Sequence, residues 1–171
     1  GKKVLLIGGA GFIGHNLAID LKKKGAEVDI WDTFNTNNII QVMLSEDNYN
    51  AKLYESFCKE RFKLLKKNNI NLLVDHGYSD GILRNLITQK SYDAIYLLAA
   101  VSHAFEANKF LNHSLNSTLP YFQTLIEKCS AMPQTRIVFL SSSTVYGNFE
   151  SDAVDENSRC NPFGIYATLK Y

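Results

Sequence analysis

Tyr166 and Lys170 stand four residues apart, and Ser141-Ser142-Ser143-Thr144-Val145-Tyr146-Gly147 precedes them by about two dozen residues. On a helix, residues four apart share a face, so phenol and ammonium would project into one space. A nearby ammonium favours phenolate and lowers the phenol's pKa, which lets a tyrosine act as general base near neutral pH. An isolated Tyr-x-x-x-Lys is more often a surface helix pair; the Ser/Thr-rich strand end upstream changes that balance.

At the other end of the chain, Gly8-x-x-Gly11-x-x-Gly14 follows the apolar run Val4 to Ile7 and opens a helical pattern beginning at Phe12-Ile13. Glycines let a backbone turn sharply and approach a pyrophosphate, whose charge is met by free N–H groups and the positive end of the helix dipole. The competing reading is a tight strand-to-helix turn with no ligand. Asp32, at the end of the next apolar run, favours the dinucleotide, because a carboxylate near that offset hydrogen-bonds the adenosine ribose. It would accept from a 2'-hydroxyl and repel a 2'-phosphate. Thr33-Phe34-Asn35-Thr36-Asn37-Asn38 holds no Arg or Lys, so the expected cofactor is NAD rather than NADP.

The elements that must position these groups alternate. Val4–Ile7, Glu27–Trp31, Ile70–Val74, Ala94–Leu98 and Arg136–Leu140 read as strands. Phe12–Lys24, Ser79–Lys90 and Ala107–Met132 read as helices. Apolar strands with little alternation, separated by helices, predict a doubly wound parallel α/β sheet, a Rossmann fold covered on both faces. Residues 37–69 exceed a simple crossover, and Leu53, Phe57, Phe62 and Leu65 keep a helical stripe, so an inserted helix is expected there.

With 171 residues, 46% hydrophobic and 20% charged, the chain can bury one sizeable core and is expected to form one domain. A formal net charge of +1 with interspersed signs gives no footprint for nucleic acid. The stretch Lys59 to Lys67 is broken by apolar residues at helical spacing and reads as a solvated helix face. No run suggests a membrane span or signal peptide, and Cys58, Cys129 and Cys160 form no Cys-x-x-Cys pair, so reduced cysteines and a cytoplasmic location are expected. His15, His76, His103 and His113 have no metal-binding spacing, so no metal site is expected. His103 sits where this fold lines its crevice, which allows a substrate contact, although a loop histidine with local bonds is the plainer reading.

Taken in order, Gly8-Gly9-Ala10-Gly11-Phe12-Ile13-Gly14, Asp32, Leu97-Leu98-Ala99-Ala100, Ser141 to Gly147, Asp155-Glu156 and Asn161-Pro162 before Tyr166 and Lys170 resemble the N-terminal half of an extended short-chain dehydrogenase/reductase. The branch they resemble is the NAD-dependent epimerase/dehydratase family. The resemblance implies that Tyr166 is the acid/base, that Lys170 tunes it and holds the nicotinamide ribose, and that Ser142 bonds the reacting sugar oxygen. Gly8, Gly11, Phe12, Ile13, Gly14, Asp32, Leu98, Ala99, Ala100 and Ser102 would contact the cofactor, and either Asp75 or His76 would take the place of the family's acid near adenine. The implied partner is a nucleotide sugar, with a possible homodimer through the helices around Ala107–Met132 and after Pro162.

Similar sugar 4,6-dehydratases carry Asp-Glu after the serine, where this chain has Ser143-Thr144, which cannot serve as acid and carboxylate base. A decarboxylase using a Glu beside Val145 is disfavoured likewise. A nucleotide-sugar 4-epimerase is the best-matched reaction. A dehydratase, dehydrogenase or reductase of the same family, or an inactive NAD-binding fragment, is the alternative. Stopping one residue after Lys170, the chain is expected to be the cofactor half of such a protein, residues 1–171, without its C-terminal substrate domain. Two departures stand out. Gly164-Ile165 replaces the family's Ser-Pro before the tyrosine. Pro120 follows Asn116 where Gly-Thr is common, and it predicts either a kink that frees the Asn116 carbonyl for a water leading toward Lys170, or a helix that starts near Leu119.

Overall fold

The computed structural model describes residues 1–35, 38, 40, 44, 49–75, 81–101 and 103–171, the side chains of Tyr49 and Cys129 excepted. Its parallel strands are β1 (Lys3–Ile7), β2 (Glu27–Asp32), β3 (Asn71–Val74), β4 (Ala94–Leu97) and β5 (Arg136–Phe139), in the spatial order β3-β2-β1-β4-β5. That order reverses between β1 and β4, the switch point at which such sheets open a crevice beyond their carboxyl ends. The doubly wound parallel sheet read from the sequence is therefore the observed one.

Alternation along β1 divides the core between the two faces. Leu5 and Ile7 pack with Trp31, Ile95 and Leu97 beneath α3 (Gly81–Gln89) and α6 (Leu119–Cys129), through Leu83, Ile87 and Leu125. Val4 and Leu6 pack with Val28 and Ile30 beneath α1 (Phe12–Lys23) and α2 (Tyr49–Lys67), through Ala18 and Leu65. The expected inserted helix is α2, and its C-terminal half belongs to the core of the second face. Burying both faces is what lets β1 run apolar without alternation.

The single helix predicted over Ala107–Met132 is instead three: α4 (Ala104–Lys109), α5 (Leu111–Asn116) and α6. Phe110, with φ −115° and ψ 72°, separates the first two. Ser114 Oγ repairs that break, donating to the Ala107 carbonyl at 2.9 Å and lying 3.1 Å from the Phe110 carbonyl. The second break falls at Ser117–Thr118, where the Thr118 N–H bonds back three residues to Leu115 and α6 restarts with Pro120 in its first turn. A proline in the first helical turn sacrifices no intrahelical bond. The restart at Leu119 thus replaces the kink.

Candidate active site

The turn after β1 is set by backbone geometry that only glycine tolerates. Gly8 has φ +77°, and a Cβ there would lie 2.6 Å from the Ala99 amide nitrogen; one on Gly14 would lie 2.4 Å from the Gly9 carbonyl oxygen. The first contact joins the turn to the segment after β4, whose Leu98 and Ala99 amides both bond the Ile7 carbonyl. The second lets α1 begin directly against the turn. His15 is buried and donates from Nδ1 to the Gly11 carbonyl at 2.9 Å, so it supports the first turn of the helix. The N-cap of α1, Gly11, contributes no side-chain bond, and no acidic side chain occupies the first turn. The helix dipole at that end therefore meets no carboxylate from its own first turn.

Asp32 closes this cradle. Its carboxylate accepts from the Ala10 N–H at 2.9 Å and from the Phe34 N–H at 2.8 Å, which ties the glycine turn to the loop after β2. Burial raises its pKa above the ordinary carboxylate value, against the opposing pull of the Phe34, Ala10 and Thr33 amides. Gly8, Gly11, Phe12, Ile13, Gly14 and Asp32 then line one groove of about 520 Å³, with Leu98, Ala99, Ala100 and His103 across from them. Glycine positions with no room for a side chain, a helix start and a buried carboxylate in one groove fit the phosphate and ribose of a dinucleotide.

The groove also contains Ser117, Tyr121 and Leu140, and, from α2, Tyr54 and Arg61. Sequence reasoning found none of these. Helical spacing marks Tyr54 and Arg61 as one face of α2, but only the chain's return across the sheet reveals which groove that face meets. Asp75 is buried at the end of β3, its N–H bonded to the Asp32 carbonyl at 3.0 Å, and it does not line the groove. His76 and Ser102 lie outside the described residues.

The Tyr166 and Lys170 end is assembled from separate segments. Ser142 caps a 3₁₀ turn, Ser143–Tyr146, and its Oγ accepts from the Thr144 N–H at 3.3 Å and the Thr144 hydroxyl at 3.0 Å. The chain returns to this turn through an Asn161 N–H bond to the Val145 carbonyl at 3.0 Å. Gly147, at φ +66°, permits that approach, since a Cβ there would lie 2.1 Å from the Asn161 carbonyl oxygen. α7 (Gly164–Lys170) follows.

Both ends of α7 are held from outside. At its start, where no local side chain caps the helix, Asn108 of α4 accepts from the Tyr166 N–H at 3.2 Å. Gly164, at φ +81°, leaves space for that asparagine, whose Oδ1 would lie 2.8 Å from an added Cβ. The departure Gly164-Ile165 thus comes with a replacement cap supplied 58 residues away. At its end, Ser141 Oγ donates to the Lys170 carbonyl at 2.7 Å, and Lys170 Nζ donates to the Leu140 carbonyl at 2.8 Å.

Lys170 is 8% exposed, and burial lowers its pKa below the usual 10.5. Tyr166 and Lys170 line a common cavity of about 10 Å³ with Ala100, Ser114 and Thr118. That is about the space of one water. Ser114 and Thr118, rather than Asn116, are the polar groups facing Lys170 there. Ala100 also lines the large groove, so the tyrosine–lysine cavity adjoins it. Among the described residues no cluster of His, Cys, Asp and Glu could hold a metal, and no helix is long and apolar enough to cross a membrane.

The model of the NAD dependent epimerase/dehydratase family matches residues 4–171. UDP-glucuronate 4-epimerase 6 of Arabidopsis thaliana is 32% identical over 173 residues, covering 99% of this chain and 34% of the relative. dTDP-D-glucose 4,6-dehydratase of Dictyostelium discoideum is 27% identical, covering 99% and 38%. The crystal structure of UDP-glucose 4-epimerase from Brucella ovis in complex with NAD superposes with a TM-score of 0.73 at 19% identity, over 99% of this chain and 45% of that one. The chain spans about a third of the length of these two curated relatives. It belongs to the NAD dependent epimerase/dehydratase family, a family of enzymes whose cofactor is NAD.

Proposed function

We propose that this member of the NAD dependent epimerase/dehydratase family is the cofactor-binding part of a nucleotide-sugar 4-epimerase. The observation that carries the reading is the Ser142–Tyr146 turn. It offers hydroxyls and no carboxylate where it packs against α7, the helix that carries Tyr166 and Lys170, so it is equipped to hold a sugar oxygen and not to expel water. The 32% identity to a UDP-glucuronate 4-epimerase supports the same choice over the 27% identical dehydratase.

Gly8 to Gly14 would hold the phosphates of the dinucleotide and Asp32 its adenosine ribose. When bound, NAD would supply a reversible acceptor for the sugar's hydride. Tyr166 takes the proton of the sugar hydroxyl at its phenolic oxygen and gives it back on the return. Ser142 Oγ fixes that hydroxyl. Lys170, released from the Leu140 carbonyl or sharing its protons with it, binds the nicotinamide ribose and favours the phenolate form of Tyr166 by its charge. A substrate domain, outside residues 1–171, would select the nucleotide and sugar. α6 leaves Leu119, Phe122 and Ile126 exposed along one face, which supports the expected homodimer.

Incubating the full-length protein with UDP-, dTDP- and GDP-sugars and resolving the products by anion-exchange chromatography tests the reading. One sugar nucleotide should convert to its 4-epimer without added NAD or net reduction. Formation of a 4-keto-6-deoxy product instead would overturn the epimerase assignment.

A further inference from the structure

The sequence places no cation after Asp32, yet the fold brings one to the same groove. Tyr54, Cys58 and Arg61 occupy i, i+4 and i+7 on one face of α2. Cys58 is buried, and Tyr54 and Arg61, about one turn to either side of it, both line the groove, so the arginine is carried on the groove-facing side of its own helix. The next residue fixes where that helix sits. The Phe62 ring meets the Phe34 ring at 5.4 Å between centroids, and the Phe34 N–H is the one that Asp32 Oδ1 accepts. Arg61 thus lines the groove that Asp32, Thr33 and Asn35 also line, and it is the only Lys or Arg to do so among the described residues.

We propose that Arg61 is a specificity-determining residue that supplies a phosphate-binding cation at the adenosine ribose, so that discrimination against a 2'-phosphorylated dinucleotide rests on Asp32 alone. A guanidinium offers a planar fork of donors suited to phosphate oxygens. A buried carboxylate repels a phosphate dianion with little screening by water. With both present, Asp32 excludes the 2'-phosphate. With Asp32 neutralised, the pocket already holds the cation that a newly built NADP site would need. This inference rests on the groove being the dinucleotide site.

The test is a fluorescence titration of NADH and NADPH into the cofactor-stripped full-length protein, comparing wild type, Asp32→Ser, Arg61→Ala and the double variant. Asp32→Ser should raise the ratio of NADPH to NADH affinity by roughly 100-fold, and adding Arg61→Ala should remove at least about 10-fold of that gain. Equal ratios for the single Asp32→Ser and the double variant would overturn the proposal. Should Asp32→Ser fail to fold, Arg61→Ala alone decides. It should weaken residual NADPH binding about 10-fold relative to NADH, and an unchanged ratio would overturn the role. Wild type binding neither nucleotide would overturn the reading of the groove itself, a result distinct from either.

Discussion

The glycine turn with Asp32 and the Tyr166 face are held by different kinds of contact. Around Gly8 to Gly14, backbone meets backbone at two glycines with no room for a Cβ, and a single side chain, the Asp32 carboxylate, ties that turn to two amides. Around α7, side chains from Asn108, Ser141 and Lys170 reach backbone atoms 58, 29 and 30 residues away. A cradle made of backbone cannot change residue type without losing its shape. The α7 face tolerates substitution at one anchor if another supplies the bond, as Asn108 does where a local cap is missing.

The largest contrast should come from the chemical group itself. Tyr166→Phe should lower kcat by about 10³-fold, in the range for loss of a general acid/base, while NADH affinity stays within twofold. A comparable loss of cofactor binding would merge the two regions that the structure separates.

Gly8→Ala attacks the cradle. A left-handed backbone and a Cβ 2.6 Å from the Ala99 amide should together cost about 3 kcal/mol in chemical denaturation, and NADH binding should fall with it. Wild-type stability in that variant would show that the turn relaxes freely and is not the rigid half of the molecule.

Asn108→Ala should be milder, about 1 kcal/mol for a lost helix cap, with kcat reduced roughly 10-fold, KM little changed and the pH optimum displaced as Tyr166 loses its orientation. Asn108→Asp keeps an acceptor for the Tyr166 N–H and should restore most of kcat. Failure of that rescue would assign the effect of alanine to packing between α4 and α7.

Lys170 gives the smallest effect and a definite sign. Its ammonium has a lower pKa folded than unfolded, because burial strips water from it. The unfolded chain therefore holds this proton more tightly, and the residue's penalty on stability is present below its folded pKa and fades as pH rises toward 10.5. Comparing urea midpoints at pH 7 and pH 10, Lys170→Met should gain on wild type at pH 7, with the gap narrowing at pH 10. A gap that widens with pH would contradict the desolvated-lysine account.

Sequence patterns reached the parts governed by neighbours along the chain. Strand runs, the glycine turn, Asp32 and the inserted helix all follow from periodicity and local backbone demands, and each is found where the pattern placed it. Pro120 signalled a break correctly but not that Phe110 would add another, because a single φ/ψ excursion at an ordinary aromatic residue leaves no compositional trace. Asn108 and Arg61 were invisible for a different reason. An asparagine near a helix end and an arginine in a charged stretch are unremarkable until the fold brings one to the Tyr166 amide and the other to the groove beside Asp32. The Ser142 and Tyr166 assignments came from family resemblance, and the small cavity shared by Tyr166 and Lys170 adds physical support to the pairing.

The claim that most needs testing is that Tyr166 and its cradle serve a reversible oxidation in which the same hydride comes back. The full-length protein should be given its sugar nucleotide with deuterium at C4 and the product examined by NMR. The account predicts a C4 epimer that retains the deuterium at C4, with no net change in cofactor oxidation state. Deuterium appearing at C6 of a dehydrated product, or lost to solvent, would contradict it.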